Sequence, residues 1–202
     1  GASRSGKTTL ERLLSKSRKV KPLGEAIKIS SFSSKNSSSS CQGNNFNKLF
    51  YNDEAALAKE GFEVAISTRP ASIYYATEIF DQLPTCYFIF VQRDPYSVAS
   101  EIFTKNYKTG NFYSYEPATI VDHLNFYSEA SSLIQSKVQH RVLNLSFEDL
   151  IENPHDAIKK VSSFLSIDFV INKNEIEKID IKTKKEYYDY FCKLEHLDAL
   201  RL

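Results

Sequence analysis

Gly1-Ala2-Ser3-Arg4-Ser5-Gly6-Lys7-Thr8-Thr9, the first nine residues, fit the pattern G-x-x-x-x-G-K-[ST] at every fixed position. A loop of this kind bends sharply into a helix N-terminus. Its backbone N–H groups and the positive end of the helix dipole then surround an anionic group. Arg4 and Lys7 add two cations in or beside the loop. Leu10, Leu13 and Leu14, with Glu11 and Arg12 among them, continue as an amphipathic segment that predicts a helix over 9–18, the context the motif requires. The opening therefore predicts a site for a phosphorylated nucleotide. It also sets the expected fold, because in α/β proteins such a loop follows a buried strand. That strand is expected to be missing from this chain, which begins at the loop.

Further along, Cys86-Tyr87-Phe88-Ile89-Phe90-Val91 is a continuous apolar run, the signature of a strand buried on both faces, and it stops at Gln92-Arg93-Asp94-Pro95. Shorter strands are predicted over 62–66, ending at Ser67-Thr68-Arg69-Pro70, and over 141–146. Helices are predicted over 48–60, 72–82, 96–105, 117–137, 155–165 and 184–200, and Pro22-Leu23-Gly24-Glu25 reads as a turn. Strands alternating with helices define an α/β fold, a P-loop-type parallel β-sheet with helices on both faces. The 202 residues are read as one domain, with a mobile Ser/Asn-rich loop over 30–47 and a C-terminal helical tail over 169–202.

A net charge of +1 gives no bulk attraction to nucleic acid or to a membrane surface, so no nucleic-acid partner is expected. No stretch approaches the roughly 18 apolar residues that cross a bilayer, so no membrane segment is expected in this chain. Cys41, Cys86 and Cys192 have no CxxC or metal-ligand spacing, which favours a reducing compartment. A cytoplasmic location is the favoured reading. A Golgi lumen or an upstream membrane anchor stays open, because the chain begins at the loop. His123, His140, His155 and His196 have no partner pattern and read as packing or solvated residues.

Ligands of parallel sheets bind at the carboxyl ends of the strands. Three polar clusters fall there: the opening loop, Ser67-Thr68-Arg69-Pro70 and Arg93-Asp94-Pro95. With these residues in place the chain resembles the sulfotransferases that use 3′-phosphoadenosine 5′-phosphosulfate (PAPS). Their 5′-phosphosulfate loop, P-R-S-G-T-T-L-L, is similar to Ser3-Arg4-Ser5-Gly6-Lys7-Thr8-Thr9-Leu10. Their apolar strand ending in R-D-P is similar to Phe88-Ile89-Phe90-Val91-Gln92-Arg93-Asp94-Pro95. Their Y-E-D-L, Pro and F-L-G elements are similar to Phe147-Glu148-Asp149-Leu150, Pro154 and Phe164-Leu165-Ser166. Order and spacing agree over residues 1–168, and Gly24-Glu25 falls where the branch with tyrosylprotein and related bacterial sulfotransferases has a G-E pair.

The resemblance implies transfer of a sulfuryl group from PAPS to a hydroxyl-bearing acceptor (a carbohydrate, a tyrosine or a small alcohol), with the 3′,5′-bisphosphate PAP as product and no metal. It implies that Arg4, Ser5, Gly6, Lys7, Thr8 and Thr9 hold the 5′-phosphosulfate, and that Arg93 holds the 3′-phosphate. Glu25 is implied as the base, with Lys7 and Arg69 beside the transferring group, and the Phe147 ring is available to adenine. The chain departs from the pattern in four places. Lys7 replaces a Thr, Phe147 a Tyr and Ser166 a Gly, and Glu101 stands where a 3′-phosphate-binding Ser is common, so that either Ser100 or Ser97 takes that role or the 3′-phosphate is bound otherwise. In part of the family the catalytic Glu is one residue beyond Glu25, and here that residue is Ala26. The bland readings are a turn carboxylate for Glu25 and a surface cation for Arg69. Two rivals remain at this point: a P-loop kinase or NTPase using Mg-ATP, and a nucleotide-binding module without catalysis. The aromatic stretch of Phe103, Tyr107, Phe112, Tyr113 and Tyr115 is expected to shape an acceptor pocket or the core.

Overall fold

The structure, a computed structural model, describes residues 1–25, 57, 59–108, 110–171 and 187–194. The expected loop over 30–47, most of the expected helix over 48–60 and both ends of the expected helix over 184–200 lie outside the described residues.

Four strands alternate with helices: β1 (Val20–Gly24), β2 (Val64–Ser67), β3 (Phe88–Gln92) and β4 (Val142–Ser146). The helices are α1 (Lys7–Leu14), α2 (Ala76–Gln82), α3 (Pro95–Thr104), α4 (Pro117–Lys137), α5 (Phe147–Glu152), α6 (Pro154–Leu165) and α7 (Tyr188–Phe191). Both strand pairings are parallel, β1 with β2 and β3 with β4, the latter in register from Phe88 opposite Val142 to Gln92 opposite Ser146. The period-2 alternation of β3 sends its residues into two cores. Phe88 and Phe90 pack with α2, α3 and α4, whereas Ile89 and Val91 pack with α1, α5 and α6. Helices therefore cover both faces, as the apolar run predicts.

Among the described residues no strand pairing joins the two parallel pairs. Between them lies a cavity of about 370 Å³, lined by Val64 and Ile66 of β2, by Phe88 and Phe90 of β3, and by Leu10 and Lys7 of α1.

One segment read as a turn is a strand. Pro22-Leu23-Gly24 forms the end of β1. Proline donates no ladder hydrogen bond, so it is tolerated where a strand pairs on one side, and among the described residues β1 pairs with β2 alone. The ladder is irregular between Pro22 and Gly24. The helix expected from 72 begins as a 3₁₀ turn over Pro70–Tyr75 before α2.

Arg141 secures the far end of this layer. Its guanidinium donates to the carbonyls of Phe80 (2.9 Å), Leu83 (3.0 Å) and Pro84 (3.3 Å) and lies 4.5 Å over the Phe80 ring. Phe80 lies in the last turn of α2, whose carbonyls lack helical partners, and the Leu83 carbonyl at the C-cap also accepts from the Cys86 N–H at 3.1 Å. Arg141→Ala is expected to cost about 1.5–3 kcal/mol, since charged hydrogen bonds are lost and the Phe80 carbonyl loses its guanidinium donor. Urea unfolding should show a lower midpoint at unchanged slope.

Candidate functional site

The opening loop owes its shape to two left-handed residues, Arg4 at φ 66° and Gly6 at φ 103°. Gly6 is needed for a second reason. A Cβ built on it would stand 2.1 Å from Cδ2 and 2.5 Å from Cε2 of Phe147. The backbone of the loop thus lies directly on the Phe147 ring. α1 starts at Lys7 with no side-chain cap, which leaves the first N–H groups of the helix facing the loop. Thr9 and Leu10 already donate back to the Gly6 carbonyl at 3.0 and 3.2 Å.

Arg93, at the end of β3, joins this loop from below. Its Nη1 donates to the Arg4 carbonyl at 3.0 Å, and its guanidinium lies 4.5 Å from the centre of the Phe147 ring. The two arginines implied for phosphate binding therefore meet, and Phe147 touches both halves of the site. Its ring is buried in the core, with Gly6 and Arg93 packed against it. Glu101 receives both cations. Its Oε2 accepts from Arg4 at 3.0 Å and its Oε1 from Arg93 Nη2 at 2.7 Å. Ser100 is fully buried one residue earlier on α3, and Glu101 is the residue of this turn that pairs with both arginines. Asp94 caps α3 by accepting from the Ser97 N–H at 2.8 Å, which commits the first carboxylate after β3 to a helix end.

Lys7 turns back on the loop, donating from Nζ to the Ala2 carbonyl at 2.6 Å. Burial lowers its pKa from 10.5 to about 8, with the Glu25 carboxylate acting the other way and Arg4 adding to the fall. Glu25 and Arg69 are brought together at the ends of β1 and β2, where Arg69 Nη1 donates to the Glu25 carbonyl at 3.3 Å. The Thr68 N–H and the Ser67 hydroxyl both donate to the Gly24 carbonyl, at 2.9 and 3.2 Å.

One residue of this site escaped the sequence reading. Glu11, read only as a polar position of the helix, is buried and accepts from the Gly24 N–H at 2.7 Å, which holds the Gly24-Glu25 corner against α1. The signal available was a carboxylate one turn after the loop lysine, and it was indistinguishable from a surface Glu. Tyr107 bonds its hydroxyl to the Ser3 hydroxyl at 3.0 Å, tying the segment after α3 to the loop.

The aromatic stretch divides. Phe103 packs on Tyr187 and Phe191, whereas Phe112 and Tyr115 are exposed. Tyr113 stacks on His123 with centroids 3.6 Å apart, and Tyr127 lies 4.9 Å away on the same imidazole. Burial, then the charge of Lys7, push the His123 pKa down to about 4, so the ring is neutral at ordinary pH. Burial raises the Tyr113 phenol to about 12. His123 is thus a packed residue, one of the two readings its sequence allowed.

No curated protein matches the chain. Among solved structures, a crystal structure of a sulfotransferase from Alicyclobacillus acidocaldarius superposes with a TM-score of 0.53 at 16% identity, covering 95% of this chain and 89% of that one. At that identity the likeness speaks for the fold. No helix among the described residues is long and apolar enough to cross a membrane. The sequence model of the Sulfotransferase family matches residues 1–170, the stretch that carries the loop, Arg69, Arg93 and Phe147, and the chain belongs to that family.

Proposed function

We propose that this chain uses PAPS as its sulfuryl donor, releases PAP, and sulfates a hydroxyl on a carbohydrate, a tyrosine or a small alcohol. The observation that carries the reading is the contact of Arg93 with the Arg4 carbonyl, which joins two anion-binding elements from distant parts of the chain. Other features fit such a donor. Burial holds the Lys7 pKa down to about 8, and the buried Ser5 hydroxyl has no partner among the described residues. A nucleotide with phosphate groups at both ends would meet the loop and Lys7 at one end and Arg93 at the other.

Bound PAPS supplies a sulfuryl group on an anhydride, and transfer by analogy with phosphoryl transfer is in line and loose, with charge growing on the bridging oxygen. Lys7 and the N–H groups of the loop stabilise that charge, each donor being worth about 3–4 kcal/mol in comparable sites. Glu25 takes the proton of the acceptor hydroxyl, a contribution on the order of 10²–10⁴ in rate. Arg69 is hydrogen-bonded to the Glu25 carbonyl, which supports a role in holding that corner beside the transferring group.

The test is thermal stabilisation by adenosine 3′,5′-bisphosphate without metal, against ATP with Mg²⁺. A ligand at one hundred times its Kd adds about 2.7 kcal/mol. Stabilisation by the bisphosphate alone is expected. A response to Mg-ATP only would replace this reading with a kinase.

Lys7 makes the binding pH-dependent. In the ligand-free chain its lowered pKa means that charged Lys7 is disfavoured, so a stability cost is present below about 8 and is relieved as pH rises towards 10.5. A bound anion reverses this and draws the pKa back up. Bisphosphate affinity should therefore be level between about pH 7 and 8, where the phosphates are already ionised, and fall above pH 8 by up to about tenfold per pH unit. Calorimetry in buffers of different ionisation enthalpy should show proton uptake above pH 8 and little near pH 7.

A further inference from the structure

We propose that Glu101 is a built-in competitor for the anion that Arg4 and Arg93 bind, and that it weakens the preference of the chain for nucleotides carrying a 3′-phosphate. The proposal rests on the donor reading above. One carboxylate occupies the ground between both guanidinium groups: Oε2 is 3.0 Å from Arg4 and Oε1 is 2.7 Å from Arg93. The Arg93 and Glu101 side chains are only 5% and 9% exposed, so solvent and salt screen this pair little. A phosphate approaching the same donors must displace that carboxylate or stand beside it.

Charge decides the direction. Two guanidinium groups and one carboxylate leave a single positive charge, whereas a phosphate monoester carries about −1.5 to −2 at neutral pH. Removing the carboxylate would double the positive charge offered to the phosphate and free the donors. The opposing possibility is that Glu101 only holds the two arginines in place. Its removal would then loosen them and weaken binding. The two roles predict opposite signs.

The experiment measures Kd for adenosine 3′,5′-bisphosphate and adenosine 5′-monophosphate by calorimetry in wild type, Glu101→Gln and Glu101→Ser. The monophosphate reaches the loop and leaves the Arg93 end empty, so it senses only the Arg4 half of this competition, where Arg4 is 42% exposed and better screened. Both variants are expected to tighten bisphosphate binding at least about tenfold, with the monophosphate changed less than about threefold. An unchanged or reduced preference in the folded variants overturns the proposal. Wild type alone gives a second check that needs no variant to fold: its preference for bisphosphate over monophosphate should be below about tenfold, and a preference near a thousandfold overturns the proposal. Wild type that binds neither adenosine nucleotide without metal overturns the donor reading instead, and the Glu101 proposal with it.

Discussion

Gly6→Ala is expected to remove about 2–5 kcal/mol of stability and to abolish nucleotide binding. Two costs combine. A side chain at φ 103° is strained, which is worth about 1–3 kcal/mol. The new Cβ also meets Phe147 at 2.1 Å, and a buried ring in a packed core cannot retreat without disturbing its neighbours. The second cost can be isolated by a double-mutant cycle. Phe147→Ala leaves a cavity and is itself expensive, about 3–5 kcal/mol. In that background Gly6→Ala should cost only the backbone strain. Urea unfolding of the four proteins would show a coupling of about 1–3 kcal/mol. Equal cost of Gly6→Ala in both backgrounds would mean that the ring does not constrain the loop.

Arg93→Ala is expected to bring binding of adenosine 3′,5′-bisphosphate down to that of the 5′-monophosphate and to lower the stability of the ligand-free chain by about 3 kcal/mol. The residue links three parts of the site: the Arg4 carbonyl, the Glu101 carboxylate and the face of Phe147. Its loss leaves Glu101 buried with Arg4 as its remaining cation, and Arg4 is 42% exposed and better screened. The stability effect should therefore fall at the low end for breaking a buried pair. Arg93→Lys keeps the charge but not the planar fork, so it cannot serve Arg4 and Glu101 together in the same geometry. It should fold better than the alanine variant and still bind the bisphosphate poorly. Binding measured well below the melting temperature separates the two effects. Full bisphosphate binding by folded Arg93→Ala would remove Arg93 from the site.

Local signals carried much of this structure. Helix α4 runs over Pro117–Lys137 as its sequence predicts, because Pro117 presets the first turn and no Gly or Pro interrupts the next twenty residues. The run before Arg93 reads as a doubly buried strand and is one, since it has no polar residue to place on a solvent face. The opening loop is legible because its glycines and lysine stand at fixed spacing. Pro22 misled the reading of β1, as it marks a turn unless the partners of the strand are known. The partners of Glu101 and Glu11 were illegible for another reason. Each bonds a group far away in sequence, and a carboxylate on a helix looks the same whether it faces water or a buried cation.

The seating of Gly6 on the Phe147 ring also restricts the routes by which this site can diverge. Any residue larger than glycine at position 6 becomes tolerable only after position 147 has already shrunk. That earlier change takes away the surface on which the Arg93 guanidinium lies. A descendant that abandons the glycine must therefore pass first through an ancestor with a loosened arginine. The order of replacements is set by geometry, and the pair should be inherited together wherever the anion site is kept.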